Sequence, residues 1–427
     1  DDDKDSSNNS NVSENSTGNG KKVVGVCAPT GVAAIIAGGS TLHSFFGIGL
    51  GKGARSSLLR KVRKSSKAVQ RIDETDVLII DECSMVSSDL LETLDFIARQ
   101  VRNGGAFRDK PFGGMQVVAF GDFFQLPPVY RGDEGDMAQG RDWRPFCFNS
   151  PAWSDLGLGE NVVELKQVQR QGNEEFISLL NKVRVGDIQE SDIRNLNQRC
   201  LVSETNPLPR DGILPTRLYV LNRDVDYENA ARLEELETKE VVCKARDTWR
   251  EDMPLGTLAN VKKKMAESLD MELPDKIKLK VGAQVMLTRN KDLDKNLVNG
   301  SRGVVERFVE TSEGPIPIVR FDSGIVTRID PVEAIRYNSD GEEGCLVRMQ
   351  VPLKLAWAIT IHKSQGSTLT RALLDITSAF EYGQCYVALS RVKSLDGLWL
   401  EKPAKLRNVM VSPQVIDFFQ TKRKFSP

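Results

Sequence analysis

The sequence predicts an α/β protein built on parallel sheets, and three observations carry that reading. The apolar run Val77-Leu78-Ile79-Ile80 ends directly in Asp81-Glu82. A strand buried on both faces does this when it delivers polar side chains to the carboxyl edge of an open sheet, where such sheets bind ligands. Residues 116–120 repeat the arrangement and end in Gly121-Asp122-Phe123-Phe124-Gln125. Strand, turn and helix patterns also alternate from residue 23 to about 165, the order that builds βαβ units. At 427 residues the chain is long enough for two or three domains.

Along the chain, residues 1–20 are mostly Asp, Ser and Asn and are expected to be a disordered polar segment, because they cannot bury enough apolar surface to fold. Residues 23–27 read as a buried strand, 28–31 as the turn launching a helix over 32–37, and Gly38-Gly39-Ser40-Thr41 as its break. Leu42-His43-Ser44-Phe45-Phe46-Gly47 then leads into a Gly-rich stretch over 47–53. From 52 to 71 there are eight basic residues and no acid: Lys52, Arg55, Arg60, Lys61, Arg63, Lys64, Lys67 and Arg71. Such a run is either a solvated face or a phosphate-contacting element. Residues 88–102 form an amphipathic helix, with Leu90, Leu91, Leu94, Ile97, Ala98 and Val101 on one face and Ser88 as N-cap.

After Arg170 the pattern changes. Helices are predicted over 174–200 and 224–236, with a strand at 217–221 between them. Short β-runs follow at 277–279, 284–287, 303–308, 316–321 and 325–329, punctuated by Asn299-Gly300 and Ser323-Gly324, the turn chemistry of a small meander or barrel. Parallel-sheet patterning resumes at Leu373-Leu374 and over 398–400. A β module at about 275–345, inserted into a second α/β domain, is the simplest account.

Composition narrows the classes. With 58 basic and 59 acidic residues the net charge is −1, so no global field announces nucleic acid. Seven cysteines never fall in Cys-x-x-Cys, which argues for a reducing, intracellular setting without a disulfide framework. Only His43 and His362 are present, so no zinc site is readable. No apolar stretch reaches about 18 residues and no secretory pattern opens the chain, so neither membrane nor secretion is expected. Adjacent carboxylates at a strand end suit a nucleotide engine, in which one holds Mg²⁺ and the other orients the attacking water.

Seven ordered motifs extend the reading: Ala28-Pro29-Thr30-Gly31-Val32-Ala33-Ala34, Thr41-Leu42-His43-Ser44, Asp81-Glu82-Cys83-Ser84-Met85, the Gly121–Val129 run, Gln169-Arg170-Gln171, Ile361-His362-Lys363-Ser364-Gln365-Gly366 and Val387-Ala388-Leu389-Ser390-Arg391. Together they resemble the motifs of superfamily 1 helicases, and the variant is similar to the petite-integration-frequency (Pif) DNA helicases. Residues 90–102 resemble that family's extra signature helix, and Phe124 departs from the Arg of transposon-borne relatives, favouring the cellular branch.

The resemblance implies two RecA-like motor domains. The first spans 21–166 with a basic wedge at about 48–72; the second spans 167–427 and is interrupted by an SH3-like insertion at about 275–345. It implies that Asp81 holds Mg²⁺, that Glu82 is the general base and that Gln125 senses the γ-phosphate of the substrate ATP. Arg170 and Arg391 would stabilise the transferring phosphoryl group, with Asp122 and Gly366 coupling ATP to movement. Thr30, Gly31, His43, Ser44, His362, Lys363 and Ser364 would grip single-stranded DNA. Phe46, and Phe45 beside it, would either stack on bases or fill the core; Trp357 suits the core better.

The implied activity is 5′-to-3′ translocation with unwinding of forks, RNA–DNA hybrids and G-quadruplexes. It would serve DNA repair, recombination and telomere maintenance, as a monomer, in the nucleus, the mitochondrion or both. One element of the pattern is missing. Such engines need a Gly-rich loop ending in Lys-Ser or Lys-Thr, and Thr17-Gly18-Asn19-Gly20-Lys21-Lys22 is the nearest approach. The expectation is therefore a first domain lacking one strand, the phosphate loop and a helix, and poor ATP hydrolysis by this chain. The alternatives are a non-catalytic nucleic-acid-binding remnant and an RNA-directed motor.

Overall fold

Two parallel four-stranded sheets organise the molecule. In the first the order is Ser40–Thr41, Val24–Ala28, Val77–Ile80, Gln116–Ala119. Ile80 lies in register with Cys27 on one side and Ala119 on the other. In the second the order is Ala358–Thr360, Thr216–Tyr219, Ala372–Leu374, Leu398–Leu400. The computed structural model describes residues 21–128, 146–250, 258–270, 273–292, 294–295, 297–337 and 345–423. The polar segment 1–20 and Val129 lie outside the described residues. No described helix is long and apolar enough to cross a membrane.

The signature-like helix is Ser88–Val101, which buries Leu91, Leu94, Ile97, Ala98 and Val101. Its cap is Ser87, not Ser88: the Leu90 amide donates to Ser87 Oγ at 3.1 Å. Arg102 ends the helix inside the protein. Its guanidinium donates to the carbonyls of Gly113 at 2.7 Å, Ile72 at 2.9 Å, Asp73 at 3.0 Å and Thr75. A buried cation is tolerated there because backbone acceptors replace its water. The basic run forms two helices, Arg55–Arg63 and Ser66–Glu74. Leu58, Leu59 and Val62 are buried while Arg60, Lys61, Arg63, Lys64 and Lys67 stay exposed.

Strand pairing in the β region reaches further than 275–345 on both sides. A five-stranded sheet runs in the order Val326–Arg328, Gly314–Phe321, Arg302–Thr311, Gln284–Leu287, Leu353–Leu355. Beside it lie a three-stranded sheet that includes Arg246–Arg250, and a pair formed by Val241–Lys244 and Lys276–Leu279. Arg348, 2% exposed, binds the three-stranded sheet to its neighbours. It holds both oxygens of Asp247 at 2.7 Å and also Asp270. Trp357 is buried, as its core reading requires.

The expected second domain, 167–427, is corrected at its end. Helix Pro413–Arg423 returns to the first lobe and buries Val415 in that lobe's core. Phe418 stacks on Phe148 at 4.5 Å and meets Phe123 edge-on at 5.7 Å. The Asn149 side-chain amide donates to Gln414 at 3.0 Å. Two exposed stretches stand out. The outer edge of Gln116–Ala119 has no strand partner among the described residues. Residues 161–168 belong to no sheet, with Val163 and Leu165 each 84% exposed.

If the last helix is held by its aromatic pair, Phe418→Ala should cost about 3 kcal/mol, the low end for a phenylalanine because the ring is half-buried. Chemical denaturation would measure the loss, and limited proteolysis should newly cleave near Val411. Unchanged stability and cleavage would show that Pro413–Arg423 docks without that ring.

Candidate functional site

The two acids sit just past the sheet edge because the main chain stays paired up to them. The Asp81 amide donates to the Cys27 carbonyl at 2.8 Å, and the Cys83 amide to the Phe120 carbonyl at 2.8 Å. Between them Glu82 adopts a left-handed conformation, φ 52° and ψ 44°. For a residue with a Cβ this costs about 1–2 kcal/mol and points to a constrained site. Glu82 Oε2 accepts a 2.8 Å hydrogen bond from Gln365 Nε2, which comes from the second lobe. Burial raises the Glu82 carboxyl above its ordinary value; the Gln365 bond and Arg391 oppose the rise, while Asp81 and Asp122 add to it. Asp81 Oδ1 accepts only the Glu82 amide, at 2.9 Å, and among the described residues its other oxygen has no partner.

Gly121 passes so close to the acid loop that a Cβ there would lie 2.8 Å from Cys83 Sγ and 2.9 Å from its nitrogen. This close approach places Asp122 near Glu82, and the Gln125 amide closes the same turn by donating to the Asp122 carbonyl at 2.9 Å. Gln125 is half-buried, and its side chain has no partner among the described residues. Asp122 is held by Arg184, at 2.8 and 3.0 Å.

The two expected arginines converge from the second lobe. Arg391 is 2% exposed and donates to the Val387 carbonyl at 2.9 Å, Ser390 Oγ at 2.8 Å and the Ser364 carbonyl at 3.4 Å. Burial, and then the neighbouring Arg170, pull it down to about 9. Arg170 donates to Thr368 Oγ1 at 3.1 Å and to the Ser390 carbonyl at 3.2 Å. Gln171 adds bonds to the carbonyls of Ser390 at 3.1 Å and Val392 at 2.8 Å. The Gln169–Gln171 segment is thus fastened to the Ser390–Val392 turn. Arg391, buried, and Arg170, half-buried, thus lie across from the half-buried Glu82, an arrangement of fixed guanidinium donors that suits a phosphoryl group.

The lobes touch at two glycines. Gly366, φ 75°, packs on Ile36 of the first lobe. Gly383, φ 71°, lies against the motif after Gly121, where a Cβ would sit 2.3 Å from the Gln125 carbonyl oxygen and 2.5 Å from that of Phe124. Only glycine satisfies both the dihedral and the clearance.

The expected DNA residues fall on a repeated device. Thr41 ends the edge strand of the first sheet and caps helix Leu42–Phe45, its Oγ1 accepting from the Ser44 amide at 3.2 Å. Thr360 ends the edge strand of the second sheet and caps Ile361–Ser364, accepting from the Lys363 amide at 3.2 Å. His43 and His362 occupy the same place in the two turns. Burial lowers the His43 imidazole, and His362 Nε2 lies 3.7 Å from Glu381. Thr30 Oγ1 accepts from the Ala33 amide at 3.2 Å, while Gly31 is exposed and faces open space. Ser44 and Lys363 are exposed.

Two assignments are corrected. Phe46 is fully buried and Phe45 5% exposed, so neither ring is offered to a base. They fill the core beneath Arg71, whose guanidinium lies 5.2 Å from the Phe45 ring and bonds the carbonyls of Phe45 and Ser44. Arg71 itself therefore belongs to the scaffold. Ser364 is also fully buried, its hydroxyl donating to the Ile361 carbonyl at 2.7 Å. Sequence reasoning passed over Gln365, although it stood inside a quoted motif. It also passed over Arg184, which carried no local signal.

The strained, raised acid gives a stability test. The folded state binds the Glu82 proton more tightly than the unfolded chain, so this group's contribution falls as pH rises from the ordinary carboxylate value through the raised one. Glu82→Gln keeps an acceptor for Gln365 and removes the buried charge. It should raise the thermal midpoint at neutral pH and give no gain at pH 4. Equal effects at both pH values would show that Glu82 is not raised.

Comparison with known proteins agrees with this geometry. A family model described as PIF1-like helicase matches residues 12–194, and one for the DNA helicase Pif1 2B domain matches 265–308. The ATP-dependent DNA helicase PIF1 of Xenopus laevis is 38% identical over 415 residues, covering 95% of this chain and 60% of the relative. The chain thus spans about 60% of that relative's length. The crystal structure of Pif1 helicase from Candida albicans is 35% identical, covers 93% of this chain and 89% of the other, and superposes with a TM-score of 0.69. Pif1 helicase from Bacteroides in complex with ADP-AlF3 and ssDNA is 30% identical, covers 95% and 89%, and has a TM-score of 0.59.

Proposed function

The chain belongs to the PIF1-like helicase family, and on that premise we propose that it forms the motor core of an ATP-dependent DNA helicase moving 5′ to 3′ on a single strand. The observation that carries the reading is the hydrogen bond from Gln365 to Glu82, made across the two lobes beside Arg170 and Arg391. A base on one lobe and cations on the other can act together only when the lobes are close. ATP would therefore be hydrolysed in the closed arrangement, and lobe movement would follow its loss.

In this reading Glu82 accepts the proton of the attacking water, Gln125 bonds the γ-phosphate, and Arg170 and Arg391 stabilise the charge that develops on it. The free oxygen of Asp81 at the strand end fits a Mg²⁺ ion, which prefers hard oxygen donors. Among the described residues no three metal-binding side chains cluster, which suits an ion completed by phosphate and water. Mg²⁺, when bound, would neutralise phosphate charge. The proposed track for single-stranded DNA runs over Thr30 and Gly31, His43 and Ser44, and His362 and Lys363, with the exposed Ser44 and Lys363 side chains available to phosphates. Forked DNA, RNA–DNA hybrids and G-quadruplexes are the proposed substrates, in genome maintenance in the nucleus or mitochondrion.

Within these 427 residues no Gly-rich loop ends in Lys-Ser or Lys-Thr. That observation favours a second reading for the polypeptide by itself: a single-strand-binding core without turnover. Calorimetry separates the two. The 427-residue polypeptide should bind Mg²⁺-ATP weakly or not at all, and a dissociation constant of low micromolar or better would overturn that expectation.

In a protein that also carries a phosphate loop, Arg391→Ala should lower ATP turnover by about 10³-fold or more with little loss of DNA affinity, because the guanidinium acts on developing charge. Preserved hydrolysis with lost DNA binding would make Arg391 a phosphate-backbone contact instead. Reversing Arg60, Lys61, Arg63 and Lys64 to Glu tests the wedge. Fork binding should weaken roughly tenfold more than binding to a bare oligonucleotide at matched salt. Equal losses, read by fluorescence anisotropy, would reduce the segment to a general electrostatic patch.

A further inference from the structure

The turn after Gly121 is held from three directions, and the catalytic reading uses none of the groups that hold it. Arg184 comes from helix Glu174–Val185 of the second lobe. Its Nε and Nη2 take both oxygens of Asp122, at 3.0 and 2.8 Å, so that carboxylate is already engaged. The same guanidinium lies 4.5 Å from the centre of the Phe124 ring. Phe419, from the last helix, stacks on Phe124 at 5.0 Å with the planes 19° apart. Leu126, one residue past Gln125, is fully buried in the second lobe's core, whereas Phe123 and Phe124 belong to the first lobe's core. The Gly121–Leu126 stretch is therefore shared between both cores.

Arg184 and Asp122 are both largely enclosed, with 22% and 17% of their side chains exposed. Burial pulls the guanidinium down, but the two bonds to Asp122 outweigh it and leave Arg184 raised. A planar, bidentate, ring-stacked arginine constrains orientation as well as distance, which an ammonium cannot do. Phe419 extends the stack to a helix that is itself fastened to the first lobe through Val415 and Phe418.

We propose that Arg184, backed by Phe419, is a positioning residue that holds the Gly121–Gln125 turn against the second lobe and so transmits the nucleotide state at Gln125 into lobe movement. This rests on the reading of Gln125 as the γ-phosphate sensor. Neither residue touches the reacting atoms. Arg184 acts through Asp122 and Phe124, and Phe419 through Phe124. Losing either should leave the acid loop intact and loosen the turn.

The test compares Arg184→Gln with Arg184→Lys, and Phe419→Leu with Phe419→Tyr. In a protein that also carries a phosphate loop, Arg184→Gln should lower DNA-stimulated kcat for ATP about tenfold, the size of an ordinary intersite coupling, with the KM for ATP moving less than about twofold. Arg184→Lys restores the charge without the stack and should recover part of the loss. Phe419→Tyr keeps the ring and should behave as the parent, while Phe419→Leu should not. Hydrogen exchange is read on the 427-residue chain itself. Residues 121–126 should exchange faster in Arg184→Gln and Phe419→Leu, with the Val77–Ile80 strand unchanged. Equal impairment by Arg184→Gln and Arg184→Lys with a matching fall in melting temperature, or unchanged exchange over 121–126, would overturn the proposal. Absence of DNA-stimulated turnover in the unsubstituted protein that carries the loop would overturn the motor reading instead, and the exchange measurement would still decide whether Arg184 and Phe419 hold the turn.

Discussion

The hydrogen bond from Gln365 to Glu82 joins the catalytic acid of one sheet to the edge of the other, and the rest of the site is arranged around it. Each parallel sheet ends in polar turns along one edge, and Gln365 reaches from one edge to Glu82 on the other. The compensation of charge follows from that contact. Arg391 and Glu82 each offset part of the other's burial cost, although burial still leaves the Glu82 carboxyl raised. Bringing the lobes together offsets both costs. The glycine at 383, pressed against the carbonyls of Phe124 and Gln125, lets them come that close.

The local geometry favours function over stability. A left-handed Glu82, a buried acid raised by its surroundings and an arginine pulled down to about 9 are each unfavourable alone. They persist because the flanking main chain is fully paired with its neighbouring strands and the helix Ser88–Val101 locks the sheet behind them. Rigid strands carry the acids, and short capped turns carry the residues assigned to DNA. That division suits a machine whose chemistry demands fixed distances while its track must slide.

Much of this was legible in the sequence, for identifiable reasons. A strand buried on both faces advertises itself as an uninterrupted apolar run, so Val77–Ile80 and Gln116–Ala119 were found with the acids at their ends. Amphipathic spacing marked Ser88–Val101, although its cap shifted by one residue to Ser87. Gln365, Arg170 and Arg391 stood inside recognisable motifs, but which of them would touch Glu82 depends on how the lobes face each other. The return of Pro413–Arg423 to the first lobe was hidden because its partners, Phe123, Phe148 and Trp153, lie more than 250 positions away. Phe46 and Ser364 illustrate the opposite error. Motif membership suggested contact with a ligand, yet burial assigns both to the scaffold on which neighbouring groups are displayed.

The uncovered rim of Gln116–Ala119 bears on how the isolated polypeptide behaves in concentrated solution. Its backbone donors and acceptors have no strand partner among the described residues, and elsewhere Val163 and Leu165 are exposed to water. Rims of this kind recruit strands from other molecules. Self-association through that rim would be a ladder of main-chain bonds, less sensitive to salt than assembly through charged surfaces. An oligomer seen with this polypeptide would first be tested against that open edge, by a substitution in Gln116–Ala119 that blocks strand addition.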